Sequence, residues 1–456
     1  MLVSVICIND AKPPKAVSVG ATKMEVCVLE KFEYDSKEKL EELAKIENIL
    51  DEVVRLYNPK IKGEENNIKF LFCACISKNL PRDYRLHVII TSQSSGGKSN
   101  LVNTILEPFK EDVLDFTEYT SAFLNRSQND MDGLIFKMEQ MEKTNDKKQV
   151  TLASMKFLLS EGKMRIGLVD KNEKGQNTPK ILEVNGIPVF ISTSTNYNID
   201  PETLNRTFLM QVDETEEQTK RIIKHVLDKY SSISYGTEWD TNLQKLYEIS
   251  QIYKEVSKQF KGIYIPFSDK IRDMIPSVNL TMRRDLPKIL NLACVIAFLN
   301  FTKRQKIPFD GGQYFYDDLK AHKMSSYYLV VEPNDFKQAL KIGGETIQQT
   351  LNKINSSSMD IYKILVKLFN DDPLSGVTVS DVAKESKKSQ NRTGELLKQL
   401  YDMGFLSRTK EGKEFRYFPT EKKFENIQAE DIEFTEEELD LWLKSQGLVP
   451  SSDSVE

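Results

Sequence analysis

The 456-residue chain contains no apolar run approaching the ~18 to 20 residues that cross a bilayer, which excludes a membrane-spanning helix. Its first residues, MLVSVICIND, carry neither a basic leader nor the roughly 7 to 15 apolar residues of a secretory signal. They read as an ordinary strand of a protein that stays inside the cell, in the cytoplasm or at the nucleoid. Cysteine is sparse: the five thiols, at 7, 27, 73, 75 and 294, form no C-x-x-C pair and have no histidine at ligand spacing. A zinc module is therefore excluded, and buried reduced thiols are expected. An overall basic excess is missing too. Lys and Arg number 63 against 68 Asp and Glu, a net charge of -5, so any nucleic-acid contact must be local. No internal repeat is present.

What is there is ordinary globular composition, 39% apolar and 29% charged, at a length that accommodates two or three domains. LVSVICI and MEVCVL alternate like strands, and EKLEELAKIENILDEVVRLY has the spacing of one helix. From residue 67 an α/β pattern follows: a helix (IKFLFCACISKNL), a strand (LHVIIT), a glycine loop and a second helix (KSNLVNTILEPF). GLIFKM, MRIGLV, KILEV, IPVFIST and TFLMQV supply further strands, and TEEQTKRIIKHVLDKY opens a helical region.

The expected organisation is a small α+β region over 1–62, an α/β core over 63–230 and a helical lid over 231–310. A connector over 311–357, a small domain over 358–420 and an acidic tail over 421–456 complete it.

The glycine loop, TSQSSGGKSNL, nearly spells G-x-x-x-x-G-K-[ST], with Ser92 at the first glycine position. A strand, a glycine turn and a helix start aim backbone N–H groups and the positive end of a helix dipole at an anion. Ser92, Ser94, Ser95, Gly96, Gly97, Lys98, Ser99 and Asn100 are the expected ATP-binding residues. Lys98 would meet the β and γ phosphates and Ser99 would ligate Mg²⁺. The competing reading is a chance run of small residues.

Four segments, HVIITSQSSGGKSNL, LLSEGKMRIGLVDKNEKGQNTPKILEVNGIPVFISTSTN, DPETLNRTFLMQVDETEEQTKRI and TMRRDLPKILNLACVIAFLNFTKRQ, stand in this order. Together they resemble the AAA+ helicase modules of plasmid, phage and mobile-element primase-helicases, which are related to the minichromosome maintenance (MCM) replicative helicases. The resemblance covers about residues 65 to 305. It implies an AAA+ P-loop ATPase core with a helical lid, using ATP and Mg²⁺.

Hydrolysis requires a carboxylate after a buried strand to polarise water. Glu139, after GLIFKM, is the candidate, although Met138 stands where the family has an acid and Glu142 or another acid would have to compensate. The alternative for this stretch is an amphipathic helix with surface glutamates.

The resemblance further implies Asn196 as sensor 1, with Thr195 as the alternative, and Arg206 as an arginine finger that enters a neighbouring subunit's site. A ring, expected as a hexamer, follows. Arg283 or Arg284 would be the sensor 2 residue, and the other would pair elsewhere, with Asp285 as a candidate partner. The hairpin read from MRIGLVDKNEKGQNTPKILEVNG would carry Lys171, Lys174 and Lys180 to the DNA backbone.

Residues 358–420 have the layout of a winged helix, with Lys387, Lys388, Arg392, Arg408, Lys410, Lys413 and Arg416 as candidate DNA contacts. A protein-docking role is the alternative. The tail is expected to be disordered or a short docking helix. The leading expectation is an ATP-driven DNA helicase or translocase in replication of a plasmid, virus or mobile element, acting with a loader, primase or initiator protein. An ATP-switched DNA-binding initiator without unwinding is the alternative, favoured by Met138 and Ser92. A small-molecule P-loop kinase is a third reading.

Overall fold

A computed structural model describes residues 36–93, 96–116, 130–139, 156–171, 177–195, 199–231, 237–275, 282–308, 326–412, 414–425, 427 and 432–446. The strands expected before residue 31 lie outside these residues, as do Ser94, Ser95, Lys174, Asn196, Glu142 and Lys413.

Five short strands build the centre: β1 (Val88–Thr91), β2 (Val113–Phe116), β3 (Ile135–Met138), β6 (Val189–Ser194) and β7 (Phe208–Gln211). They lie in the order β2-β3-β6-β1-β7, and every pairing is parallel. β1, β3, β6 and β7 are buried along their whole length. That burial explains their near-continuous apolar sequences, since strands covered on both faces lose polar alternation. β4 (Lys163–Lys171) and β5 (Asn177–Asn185) pair antiparallel as a separate hairpin just before β6.

The Glu65–Ser77 helix is buried from Phe70 to its end, so its apolar residues run all round it. Cys73 and Cys75 are buried free thiols there, and burial pushes both far above the ordinary thiol range. The single helix expected over residues 38–57 is two, Ser36–Ala44 and Ile49–Tyr57. Asn48 starts the second with its side chain accepting from the backbone N–H groups of Leu50 and Asp51, a cap that competes with helix continuation.

The region expected as helical over 231–310 contains the Thr237–Val256 and Met282–Leu299 helices, but adds β8 (Phe260–Tyr264) and β9 (Lys306–Pro308). With β10 (Tyr327–Val330) these form a three-stranded sheet in the order β8-β10-β9.

The stretch expected as a connector is structural. It supplies β10 and the 20-residue Pro333–Asn352 helix, which packs on the Met282–Leu299 helix and on β7. There Thr350 Oγ1 accepts from the Leu209 N–H at 3.0 Å. Asp285, fully buried, joins the two helices by accepting from Lys288 at 2.7 Å and Lys353 at 2.9 Å. Burial, then the neighbouring Lys353 charge, pulls the Lys288 ammonium down to about 8, with Asp285 opposing. Asp285→Ala leaves both ammonium groups without this counter-charge. A loss of about 3–5 kcal/mol, the usual result of removing one partner of a buried pair, is expected in denaturant unfolding.

Beyond residue 355 a compact unit runs helix (Ser356–Asp371), β11 (Val377–Thr378), helix (Val379–Ser386), helix (Gln390–Asp402), β12 (Leu406–Glu411) and β13 (Glu414–Pro419). Its sheet order is β11-β13-β12 around a core of Ile361, Leu365, Val382, Leu397, Phe405 and Tyr417. The acidic tail forms a helix, Glu436–Ser445, that docks on the β8-β10-β9 sheet. Leu443 packs with Ile307 and Val330, Trp442 lies 5.7 Å from the Tyr264 ring, and Glu438 pairs with Lys270 at 2.8 Å.

Candidate nucleotide-binding site

β1 ends at Thr91, and the chain passes through Ser92 and Gln93 to Gly96, Gly97 and the Lys98–Leu106 helix. Gly97 caps that helix at φ +85°, a left-handed conformation that suits glycine. Gly97 has no side chain with which to cap the first turn, and N–H groups at a helix start suit an anion. Gly96 is required for another reason: a Cβ there would overlap the Ser92 hydroxyl. Overpacking of this kind costs about 1–3 kcal/mol. Gly96→Ala is accordingly expected to weaken ATP binding about tenfold, and Ser92→Gly in the same chain to restore it, both read by calorimetry.

Ser92 thus occupies the missing-glycine position as a clasp. Its hydroxyl accepts from Lys98 Nζ at 2.8 Å and donates to the Gln93 carbonyl at 2.9 Å. The same ammonium reaches the Ser92 carbonyl at 2.9 Å and the Gln93 carbonyl at 2.8 Å. Lys98 is therefore buried against its own loop, and that burial lowers its pKa while Glu214 opposes the shift. Glu214, beyond the end of β7, accepts from the Gln93 N–H at 2.7 Å.

In a parallel sheet the carboxyl ends of all strands open on one side, where ligands of open α/β folds bind. The loop after β1, Glu139 after β3 and Thr195 after β6 all leave from that side. Glu139 Oε1 lies 3.2 Å from Lys137 Nζ, which also meets Asp115 Oδ2 at 2.9 Å. Lys137 is buried within β3. A lysine inside an otherwise apolar strand was a visible signal in GLIFKM that the pattern reading passed over. Glu214 carried no such signal, because its role follows from β7 lying beside β1. A cavity of about 550 Å³ opens beside Glu214, lined by Asn67, Gln211, Asp213, Gln348 and Ser357 among others.

Arg206 sits elsewhere. β7 runs beside β1 with Phe208 opposite Val88 and Gln211 opposite Thr91, so Arg206 lies at the amino end of the sheet. The three strand steps from Phe208 to Gln211 alone amount to about 10 Å. Its guanidinium donates to the Ser160 hydroxyl and, at 2.7 Å, to the Glu202 carbonyl.

Arg283 and Arg284 are exposed in the first turn of the Met282–Leu299 helix. One turn on, Lys288 Nζ contacts the carbonyls of Leu204 and Thr207, which places this helix start near Arg206 and not near Lys98. The expected pairing of Asp285 with one of these arginines is corrected by its contacts with Lys288 and Lys353, which it reaches because it faces the packed side of the helix.

β4 and β5 pair over nine residues each, with Lys171 opposite Asn177 and Lys180 opposite Leu168. In the C-terminal unit, Arg392 pairs with Glu395 at 3.1 Å and Arg416 with Glu411. Arg408 lies between the rings of Tyr401 and Phe415, 4.2 and 4.3 Å from their centroids. Lys387 is exposed and ends its helix at φ 54°, while Lys388 borders the cavity beside Glu214.

No family model matches this chain, and no curated protein does. Among solved structures it is similar to a full-length MCM homologue from Methanopyrus kandleri, at 13% identity and a TM-score of 0.41. The likeness covers 72% of this chain and 64% of that one, less than two thirds of its length.

Proposed function

We propose that the chain is an ATP-dependent, ring-forming DNA helicase or translocase of the MCM-like AAA+ type. The observation that carries this reading is the loop itself: a helix start led by Gly97, with Lys98 at its first position, at the carboxyl edge of a parallel sheet that also presents Glu139. These groups suit a nucleoside triphosphate. Lys98 would exchange three loop oxygens for phosphate oxygens, and the first-turn N–H groups would hold the same phosphates. Mg²⁺, held by Ser99 and the phosphates, would supply charge neutralisation at the transferred phosphoryl group. The cavity beside Glu214 gives room for base and ribose.

Glu139 would orient the attacking water, and Arg206, too far from its own loop, would serve the neighbouring subunit's site. The helix start bearing Arg283 and Arg284 shares that end of the sheet, which supports their acting on the same neighbouring nucleotide. The β4–β5 hairpin would present Lys171, Lys174 and Lys180 to phosphates, contacts that need no base-specific geometry. The C-terminal unit reads as a winged helix whose Lys387 and Lys410 are its better candidates for DNA contact, because Arg392 and Arg416 are engaged by glutamates.

A second reading, an ATP-switched DNA-binding initiator or regulator, has its own support. Lys137 engages the Glu139 carboxylate at 3.2 Å, and Met138 supplies no second acid. ATP turnover with and without single-stranded DNA decides between them. Glu139→Gln is expected to cut turnover about 100-fold, the lower range for a general base, with ATP binding retained. Normal turnover in Glu139→Gln removes Glu139 from the mechanism. A wild type that binds ATP without turning it over establishes the switch reading, and strand displacement on a forked duplex separates a helicase from a translocase.

A further inference from the structure

A cavity of about 500 Å³ lies where the acidic tail meets the β8-β10-β9 sheet, a volume within the range of small-molecule sites. Its first wall is Gln305, just before β9, with Val330 at the end of β10 and Glu332 just beyond. Its second wall is tail, with Phe434, Glu436 and Leu439. Among the described residues, none assigned above to ATP lines it. Gln305 is 2% exposed, and its side-chain Oε1 is buried without a hydrogen-bond donor. Its main chain is already in use, since the Gln305 carbonyl accepts from the Val330 N–H at 3.1 Å. A buried acceptor left unmet is costly, so an unmet amide oxygen on the wall of a cavity calls for a donor that enters it.

The charge around the cavity gives that donor its sign. Glu332 and Glu436 line the cavity, and among the described residues no lysine or arginine does. Arg304 stands behind Glu332 at 3.1 Å and is shared with Asp335 at 2.7 Å, so one guanidinium answers two carboxylates. Burial pushes the Glu332 carboxyl above its ordinary range, with Arg304 opposing and Asp335 adding to the rise. Lys270 lies 5.5 Å from the Phe434 ring but is held by Glu438 at 2.8 Å and by the Glu433 carbonyl. Lys306, the next residue after Gln305, is buried over the Phe301 ring. Negative charge is therefore in excess at the cavity, beside an apolar surface from Val330, Phe434 and Leu439.

We propose that this cavity binds a small organic amine, whose protonated nitrogen donates to Gln305 Oε1 between Glu332 and Glu436 while its hydrocarbon body packs on Val330, Phe434 and Leu439. An alkyl ammonium titrates near the lysine range, so it is charged at neutral pH. Both walls take part, so the bound amine ties the tail to the body of the chain. The inference is independent of the nucleotide reading.

The test is calorimetric titration of the full chain with phenethylamine and with hexylamine. At least one is expected to bind saturably with a Kd near or below about 1 mM, in keeping with so few atoms. Phenylacetate, an aromatic body with the opposite charge and no N–H, is expected not to bind. Gln305→Leu keeps the side-chain bulk without the acceptor, and is expected to weaken amine binding about tenfold while the melting temperature holds or rises. Glu436→Lys, at an exposed position, is expected to weaken it about fivefold. Should Gln305→Leu fail to fold, Leu439→Trp fills the cavity from the tail side and is expected to abolish binding. Failure of both amines to bind overturns the inference and leaves Gln305 an acceptor for water alone. Phenylacetate binding as tightly as the amines overturns it too, as does wild-type amine affinity in Gln305→Leu, Glu436→Lys or Leu439→Trp.

Discussion

Arg206→Ala is expected to lower ATP turnover about 10³-fold or more while ATP binding is unchanged, the range seen when an arginine finger is withheld from phosphoryl transfer. The split follows from position. Arg206 stands at the amino end of β7, and the loop leaves the carboxyl end of β1, so its guanidinium has no route to its own nucleotide. Its present bonds, to the Ser160 hydroxyl and the Glu202 carbonyl, are made with neutral oxygens on the surface and can be exchanged for a phosphate.

Mixing supplies the sharper readout. Arg206→Ala and Lys98→Ala copies are each expected to be inactive alone. Together they are expected to recover turnover, since an Arg206-deficient copy keeps a working loop and receives Arg206 from a Lys98-deficient neighbour. Absence of recovery, with mixed multimers present by mass, would rule out action between subunits.

Lys98→Ala is expected to weaken ATP binding about 10²- to 10³-fold, the loss of a pre-placed charged donor from a phosphate site. The empty loop adds a second effect. Lys98 holds two carbonyls and one hydroxyl of residues 92 and 93, so its removal loosens the loop as well as removing a phosphate contact. Lys98→Arg tests the distinction. It keeps the charge but not the compact point-charge geometry, and is expected to leave ATP binding impaired. Calorimetry with ATP and with ADP reads both variants, and wild-type affinity in Lys98→Ala would show that the loop is not a nucleotide site.

The central sheet was legible because strands buried on both faces announce themselves as apolar runs, and GLIFKM, IPVFIST and TFLMQV lie where β3, β6 and β7 form. The turn into the Lys98–Leu106 helix was legible because a left-handed residue before a helix favours glycine, as at Gly97. Pairing between distant segments was not. Nothing near Asp285 in sequence announces Lys353, and nothing in TSQSSGGK announces that Ser92 would close on Lys98 or that Glu214 would reach Gln93. The connector was misread for a similar reason: the Pro333–Asn352 helix gains its stability from the Met282–Leu299 helix and β7 and not from local spacing alone. The break at Asn48 shows the reverse case, a local cap overriding a long periodic stretch.

β7 forms one edge of the central sheet, and a free strand edge is a template on which another chain can add. At this edge the Leu209 N–H is taken by the Thr350 hydroxyl, so the Pro333–Asn352 helix acts as a guard against aggregation as well as a packing element. Partial unfolding that begins by lifting this helix would expose the edge while the other strands remain paired. Thr350 and its helix therefore shield this edge of the sheet from other chains.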